Sequence, residues 1–302
     1  MRPEFEGKRW AIYNADTIEV LAGLPEHSVD CAIFSPPFSD LFVYSDSERD
    51  MGNCASHDEF MEHYGFFAAG LLRAMKPGRL ACVHCTDLPT RKARDGFIGL
   101  HDFGGDLIRA HQAAGWIYHA RCTVWKDPVV EMQRTKALGL LYKQIQKDSA
   151  MNRVGMPDYV LFFRAPGENP DPIRHTPETL PVSRQHAQQG ERHVWQEMAS
   201  PVWWSVRQSH VLNGRQAKGE RDERHICPLQ LDVIDRCLTL YTNQGDVVLD
   251  PFNGIGSTGY CAVKMGRKYL GVELKPEYAR QAAGFLSEAE ASQHDLFAEA
   301  GA

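Results

Sequence analysis

Asp250-Pro251-Phe252-Asn253-Gly254-Ile255-Gly256-Ser257-Thr258-Gly259 follows the apolar run Val247-Val248-Leu249, a strand that runs into a glycine-rich turn. Glycines at 254, 256 and 259 permit a tight bend and close backbone approach to a nucleoside-bearing ligand. Glu273, at the end of the next apolar run, is placed to accept hydrogen bonds from ribose hydroxyls. The same spacing occurs in dinucleotide-binding oxidoreductases, so that class stays open on the glycines alone. Asp-Pro-Phe at the start of the turn separates the two, because a pyrophosphate-binding loop begins with glycine.

Working outward, apolar runs at 10–13, 31–34, 80–84, 117–125, 159–163, 247–249 and 269–272 read as strands alternating with helical patterns. That alternation predicts an α/β fold, a sheet covered by helices on both faces. Ser56-x-x-Glu59 is a capping box for a helix that runs to Ala74 or Met75 and stops at Lys76-Pro77-Gly78. A second helix is expected over 102–114, ending at Gly115, and a polar helix over 131–148. Leu229, Val233, Ile234, Cys237, Leu238 and Tyr241 share one helical face, which Gly245-Asp246 terminates. Asp250 therefore falls at the carboxyl end of a strand, where open α/β sheets bind ligands.

The run Cys31-Ala32-Ile33-Phe34 leads into Ser35-Pro36-Pro37-Phe38. Pro36 and Pro37 fix their own backbone angles and lack N–H donors, so the loop holds its shape at little entropic cost. It offers two acceptors, the Ser35 hydroxyl and the Pro36 carbonyl, and an aromatic plate in Phe38. This loop and the glycine turn together resemble the amino-methyltransferases that act on DNA, which use S-adenosylmethionine and modify cytosine N4 or adenine N6. In most methyltransferases the cofactor loop precedes the proline-proline loop. Here it follows, as in the circularly permuted group, often called beta, of bacterial and phage enzymes. The resemblance runs from Trp10 to about Phe285 and is weakest between Pro166 and Arg224.

The resemblance implies an S-adenosylmethionine-dependent methyltransferase (Rossmann-like) fold, mostly parallel with one antiparallel strand. It implies a target-base half over 1–165, a target-recognition region over 166–224, a cofactor half over 225–286 and a flexible tail over 287–302. By similarity Asp250, Pro251, Phe252, Asn253 and Gly254 hold the methionine moiety, with Gly256 completing the turn. Ser257 and Thr258 lie at a helix start whose amides favour a carboxylate. Glu273 takes the ribose, and Asp16, in Asn14-Ala15-Asp16, matches the position that contacts the adenine. Cys227 and Pro228, in His225-Ile226-Cys227-Pro228, resemble the segment that closes over the methionine end. For Asp16 and Glu273 the structural alternative is a helix or turn cap.

On the target side, Ser35 and Pro36 accept from both amino hydrogens and point the nitrogen lone pair at the sulfonium methyl, while Phe38 stacks on an extruded base. Double-stranded DNA is the implied partner and base flipping the implied route, because the amino group cannot be reached inside a duplex. Serine as the first residue of the loop leans the comparison towards cytosine N4, with adenine N6 the alternative. A cytosine-C5 enzyme would need a nucleophilic Cys in a Pro-Cys context, and Cys227-Pro228 has the reverse order. Trp125-Lys126-Asp127-Pro128 and Thr86-Asp87 end strands on the same rim, where they either border the base or simply pack. A catalytically silent DNA-binding protein on the same fold is the reading from a different class.

At 302 residues with ordinary composition the chain can bury a sizeable core. No run approaches the roughly 18 apolar residues of a membrane span, and Met1-Arg2-Pro3-Glu4 opens without an apolar signal, so a cytoplasmic monomer or homodimer is expected. The eight cysteines sit mostly in apolar runs, as reduced buried thiols do. Cys82-Val83-His84-Cys85 reads as a buried strand and not as a metal site, for want of a second ligand pair at suitable spacing. The formal charge of −6 does not favour DNA, but basic residues cluster at Arg134, Lys136, Lys143, Lys147, Arg153 and Arg164, and again at Arg207, Arg215, Lys218, Arg221 and Arg224. Gln293-His294-Asp295-Leu296-Phe297 resembles the motif that docks bacterial DNA enzymes on the sliding clamp; packing of Leu296 and Phe297 onto the sheet is the plainer reading.

Overall fold

The computed structural model describes residues 2–39, 50–90, 92–135, 142–151, 153–175, 194–212 and 228–299. Its strands are β1 (Phe5–Glu6), β2 (Trp10–Asn14), β3 (Val29–Phe34), β4 (Met75–Cys85), β5 (Leu88–Pro89), β6 (Leu100–His101), β7 (Ile117–Val124), β8 (Asp158–Arg164), β9 (Val202–Trp203), β10 (Val247–Asp250) and β11 (Lys268–Glu273). Nine of them form one sheet in the order β1-β2-β11-β10-β3-β4-β8-β7-β9, and β5 and β6 pair separately as a hairpin. All seven strands expected from the sequence are present. Within the body of the sheet β8 runs antiparallel to both neighbours, as the resemblance implied. The short β1 adds a second antiparallel pairing at the edge that the sequence did not announce.

The central strand explains why the sheet is covered on both faces. Every residue of β3 is buried, and successive side chains point to opposite sides. Cys31 and Ile33 join Ile234, Cys237, Leu238 and Ala262 in one cluster, under the helices Leu231–Tyr241 and Ser257–Lys264. Ala32 and Phe34 join Phe60, Phe67, Leu71 and Leu107 in the other, under the helices His57–Ala74 and Phe103–Ala113. At the opposite end of the sheet from the cleft described below, the buried Arg79 contacts Asp30 and Asp246, each at 3.1 Å, and so ties β4 to β3 and to the turn before β10.

The capping box forms: Glu59 N–H donates to Ser56 Oγ, and the Glu59 carboxylate accepts from Ala55 N–H. The helix ends at Ala74, but Lys76-Pro77-Gly78 is not the turn expected there. These residues lie inside β4, which begins at Met75, with Gly78 at φ +71 and its N–H bonded to Ala165 O. The polar helix also starts earlier than its charges suggest, at Pro128. Its described parts are Pro128–Thr135 and Tyr142–Lys147. The last helix spans Pro276–Glu299, so regular backbone continues through the stretch read as a flexible tail; the side chains of the clamp-like motif lie outside the described residues. Of the recognition region, only 166–175 and 194–212 are described.

Gly256 is an αL residue, φ +88, at the start of the helix Ser257–Lys264, and a Cβ there would lie 2.9 Å from Ala282 Cβ. Gly256→Ala is expected to cost about 2–4 kcal/mol, combining the left-handed backbone penalty with overpacking. Thermal denaturation reads this directly, and an unchanged Tm would show that the helix Pro276–Glu299 yields.

Candidate active-site cleft

The carboxyl ends of β2, β3, β4, β7, β10 and β11 open onto a single cleft of about 940 Å3. Because β8 is antiparallel, its first residue, Asp158, reaches the same rim. Ser35, Pro36, Pro37 and Phe38 line the cleft after β3, and Asp250, Pro251, Phe252, Asn253 and Gly254 line it after β10. Asp16, Pro228, Ser257, Thr258 and Glu273 complete that wall, while Trp125 and Asp127 do not line the cleft although Lys126, Thr86 and Asp87 do. Gly256 does not line it either, since its Cα faces the helix Pro276–Glu299. Cys227 lies outside the described residues.

Each wall is held by short-range bonds. Phe252 N–H donates to Asp250 Oδ1 at 3.0 Å, folding the turn back on its own strand end. Gly254 N–H donates to Glu273 Oε2 at 2.7 Å and Lys275 N–H to Oε1 at 2.8 Å, so Glu273 holds the glycine turn as well as facing the cleft. The Phe252 ring packs on Phe34 and Phe67, which anchors the turn in the core. Asp16 is an N-cap, accepting from Ile18 N–H at 2.8 Å and Glu19 N–H at 3.3 Å, and its residue also borders the cleft. Both alternatives posed for these two acids are therefore present in one side chain.

Burial pushes the Asp250 carboxyl up to about 7, against the lowering effect of hydrogen bonds from Thr258 and Phe252 N–H. Burial likewise raises Glu273 to about 7, although the amides of Lys275 and Gly254 favour its charged form. Two such carboxyls on one wall suit a cationic ligand, whose charge would ionise them.

The opposite wall carries residues whose role the sequence did not announce. Ser35 Oγ lies 2.9 Å from His84 Nδ1. His84 Nε2 lies 3.2 Å from Asp158 Oδ2, and Lys126 Nζ donates to Asp158 Oδ1. Asp158 is buried, but His84 and Lys126 outweigh desolvation and hold its carboxyl at about 2. His84 had been read only as part of the buried strand around Cys82 and Cys85. Both cysteines are indeed buried thiols, whereas the histidine between them turns to the cleft. Phe38, at the mouth, meets Phe103 edge-on at 6.2 Å.

Of the basic residues flagged for polyanion contact, Arg207 is engaged with Asp232 at 2.6 Å and Arg153 with Glu131 at 3.5 Å. Lys143 and Lys147 are exposed. Lys136, Arg215, Lys218, Arg221 and Arg224 lie outside the described residues.

A seven-stranded sheet body with one antiparallel strand and a glycine turn after a central strand is the fold of the S-adenosylmethionine-dependent methyltransferases, and the solved structures agree. PvuII DNA methyltransferase (cytosine-N4-specific) superimposes with a TM-score of 0.64 at 18% identity, over 94% of this chain and 88% of the other. A Thermus thermophilus protein described as a DNA modification methylase, solved with S-adenosyl-L-methionine, gives 0.65 at 21%, over 93% of each chain. Within that fold the chain belongs to the N6/N4 DNA methylase family, whose model matches residues 29–284. Its relatives include the type II methyltransferases M.BamHI of Bacillus amyloliquefaciens, 25% identical over 91% of this chain, and M.Cfr9I of Citrobacter freundii, 23% identical over 88%. The chain spans 56% of the length of M.BamHI and 84% of M.Cfr9I. No helix of the described residues is long and apolar enough to cross a membrane.

Proposed function

We propose that the chain transfers a methyl group from S-adenosylmethionine to the exocyclic amino group of a flipped DNA base, cytosine N4 in preference to adenine N6. One observation carries this reading: Ser35 and Gly254, far apart in sequence, line the same cleft. The Asp250 and Glu273 wall is suited to the cofactor, whose ammonium and sulfonium are both positive. Pro228 and Asp16 border it from either end. With the Ser35 loop earlier in the chain than the glycine turn, the permuted grouping is the reading adopted here.

S-adenosylmethionine supplies an electrophilic methyl when bound. The chain's own residues prepare the amino group and take up its proton. Ser35 O–H donates to His84 Nδ1, leaving its oxygen lone pairs free to accept from the amino N–H. As the nitrogen gains the methyl it becomes acidic, and its proton passes through the Ser35 hydroxyl to His84 Nδ1. Asp158, ionised and 3.2 Å from His84 Nε2, stabilises the resulting imidazolium. Pro36 offers its carbonyl to the second amino hydrogen.

The preference for cytosine rests on the serine, and PvuII DNA methyltransferase, named as cytosine-N4-specific, supports it only at the level of the fold. Incubation with labelled S-adenosylmethionine and mixed duplex DNA, followed by nucleoside digestion and mass spectrometry, is expected to yield N4-methylcytosine. N6-methyladenine would reverse the base assignment, and no label on any duplex would end the enzyme reading.

The segment after β9 is proposed as part of the target-recognition surface. Trp125 and Trp204 stack at 5.9 Å and are 37% and 55% exposed, next to the cleft residue Lys126. Trp204→Ala is expected to weaken duplex binding about tenfold, at the lower end of a base–aromatic contact of roughly 1–3 kcal/mol. Cofactor titration should be unaffected. Fluorescence anisotropy with labelled duplex reads the difference, and unchanged anisotropy would remove the pair from the interface.

A further inference from the structure

Away from the cleft, three side chains from three separate elements converge on one point. His57 opens the helix His57–Ala74, His101 ends β6, and Asp106 stands in the first turn of the helix Phe103–Ala113. His57 Nε2 and His101 Nε2 lie 2.9 and 2.7 Å from the same oxygen, Asp106 Oδ2, and 3.0 Å from each other. Protons cannot satisfy this triangle. With the carboxylate ionised, as its contact with Arg109 through Oδ1 requires, each nitrogen must carry a hydrogen to bond Oδ2. The two nitrogens then face each other as donor against donor. If either gives up its hydrogen, one bond to the carboxylate is lost. A cation at the centre relieves the conflict, because all three atoms can then present lone pairs.

We propose that His57, His101 and Asp106 bind one divalent transition-metal ion of the zinc class, which fixes the chain where it leaves the Ser35-Pro36-Pro37-Phe38 loop. Two imidazole nitrogens and one carboxylate oxygen are a borderline donor set, favouring Zn2+, Co2+ or Ni2+ over Mg2+ and Ca2+, which take oxygen ligands. A tetrahedral zinc site separates its ligand atoms by about 3.4 Å, so the triangle needs to open by only a few tenths of an ångström on loading. His101 is the most exposed of the three side chains, at 43%, and provides the route of entry.

The surroundings match a metal-bound histidine. Such a ring offers its second nitrogen to an acceptor that fixes its orientation. His57 Nδ1 lies 2.9 Å from Ser39 Oγ. Ser39 is fully buried, adopts the left-handed region at φ +53, and directly follows Phe38. Phe103 contacts both the His57 and Phe38 rings, at 6.3 and 6.2 Å. The site thus grips the loop from its far end, and it stands independently of which base, or whether any base, is methylated.

The test uses the full chain stripped with chelator and reloaded with Co2+ or Zn2+. One equivalent of Co2+ should give visible d–d absorption, and Zn2+ at a hundredfold excess over Kd should raise Tm by about 5 °C. His101→Ala should lose both responses while retaining helical circular dichroism. If that variant fails to fold, His101→Gln is read by the same criteria. Cys54→Ser serves as the control, because Cys54 Sγ lies 3.5 Å from His63 Nδ1 and is a competing pair; it should keep the full response. Less than about a tenth of an equivalent bound by the intact chain, or an undiminished response in the folded His101 variant, would overturn the proposal.

Discussion

Ser35→Ala is expected to lower the rate of methyl transfer by about 10²–10⁴-fold while leaving the cofactor dissociation constant within a factor of about two. The hydroxyl is the link between the base and the His84–Asp158 pair, and alanine removes both the acceptor for the amino group and the path for its proton. Nothing the residue does for the opposite wall is lost, since Asp250, Gly254 and Glu273 are held by their own strand ends. Single-turnover transfer from labelled cofactor measures the first effect and calorimetric titration the second. Asp158→Asn should reproduce part of the loss, because the amide cannot neutralise an imidazolium, and Lys126 would lose its counter-ion. An unchanged Ser35→Ala rate would remove the hydroxyl from the chemistry, and an equal loss of cofactor affinity would make its role one of architecture.

That both walls could be read in the sequence follows from where they lie along it. The Ser35 loop and the glycine turn are each contiguous, with prolines and glycines whose backbone constraints are visible in isolation. His84 and Asp158 became neighbours of Ser35 only through strand pairing: Phe34 opposite Val83 in β3 and β4, and His84 opposite Val160 in β4 and β8. A polar residue near the carboxyl end of an otherwise apolar strand was the available signal for His84, and it was masked by the C-x-x-C around it. For His57, His101 and Asp106 no spacing rule exists, because they come from two helices and a hairpin. Gly256 shows the reverse error. Its place in G-x-G-x-x-G suggested contact with the ligand, while helix packing against Ala282 requires the missing Cβ. Lys76-Pro77-Gly78 failed as a stop because β4 pairs from Met75 onward, and the strand absorbs the glycine.

Cofactor affinity is expected to increase with pH up to about 7 and then level off. Asp250 and Glu273 both sit near 7 because burial penalises their charged forms, so below that value the cleft wall is mostly neutral. If a bound cation requires one of them ionised, apparent affinity falls about tenfold for each pH unit below 7, and about a hundredfold if it requires both. The same shifts act on stability with the opposite sign. A carboxyl whose folded-state pKa is raised binds its proton more tightly when folded. It therefore stabilises the free protein at low pH, and that contribution is lost as pH rises from about 4 to 7. Asp158, held at about 2, contributes the reverse: its stabilisation is present above about 4 and is lost as pH falls towards 2. The Tm increment given by S-adenosylmethionine should accordingly be larger at about pH 8 than at about pH 6. S-adenosylhomocysteine, which lacks the sulfonium charge, should show a shallower dependence, and Asp250→Asn should lower the plateau and flatten the slope. An affinity that stays constant from roughly pH 5.5 to 8.5 would mean that neither carboxyl titrates against the ligand, and the charge-matching account of this wall would have to be abandoned.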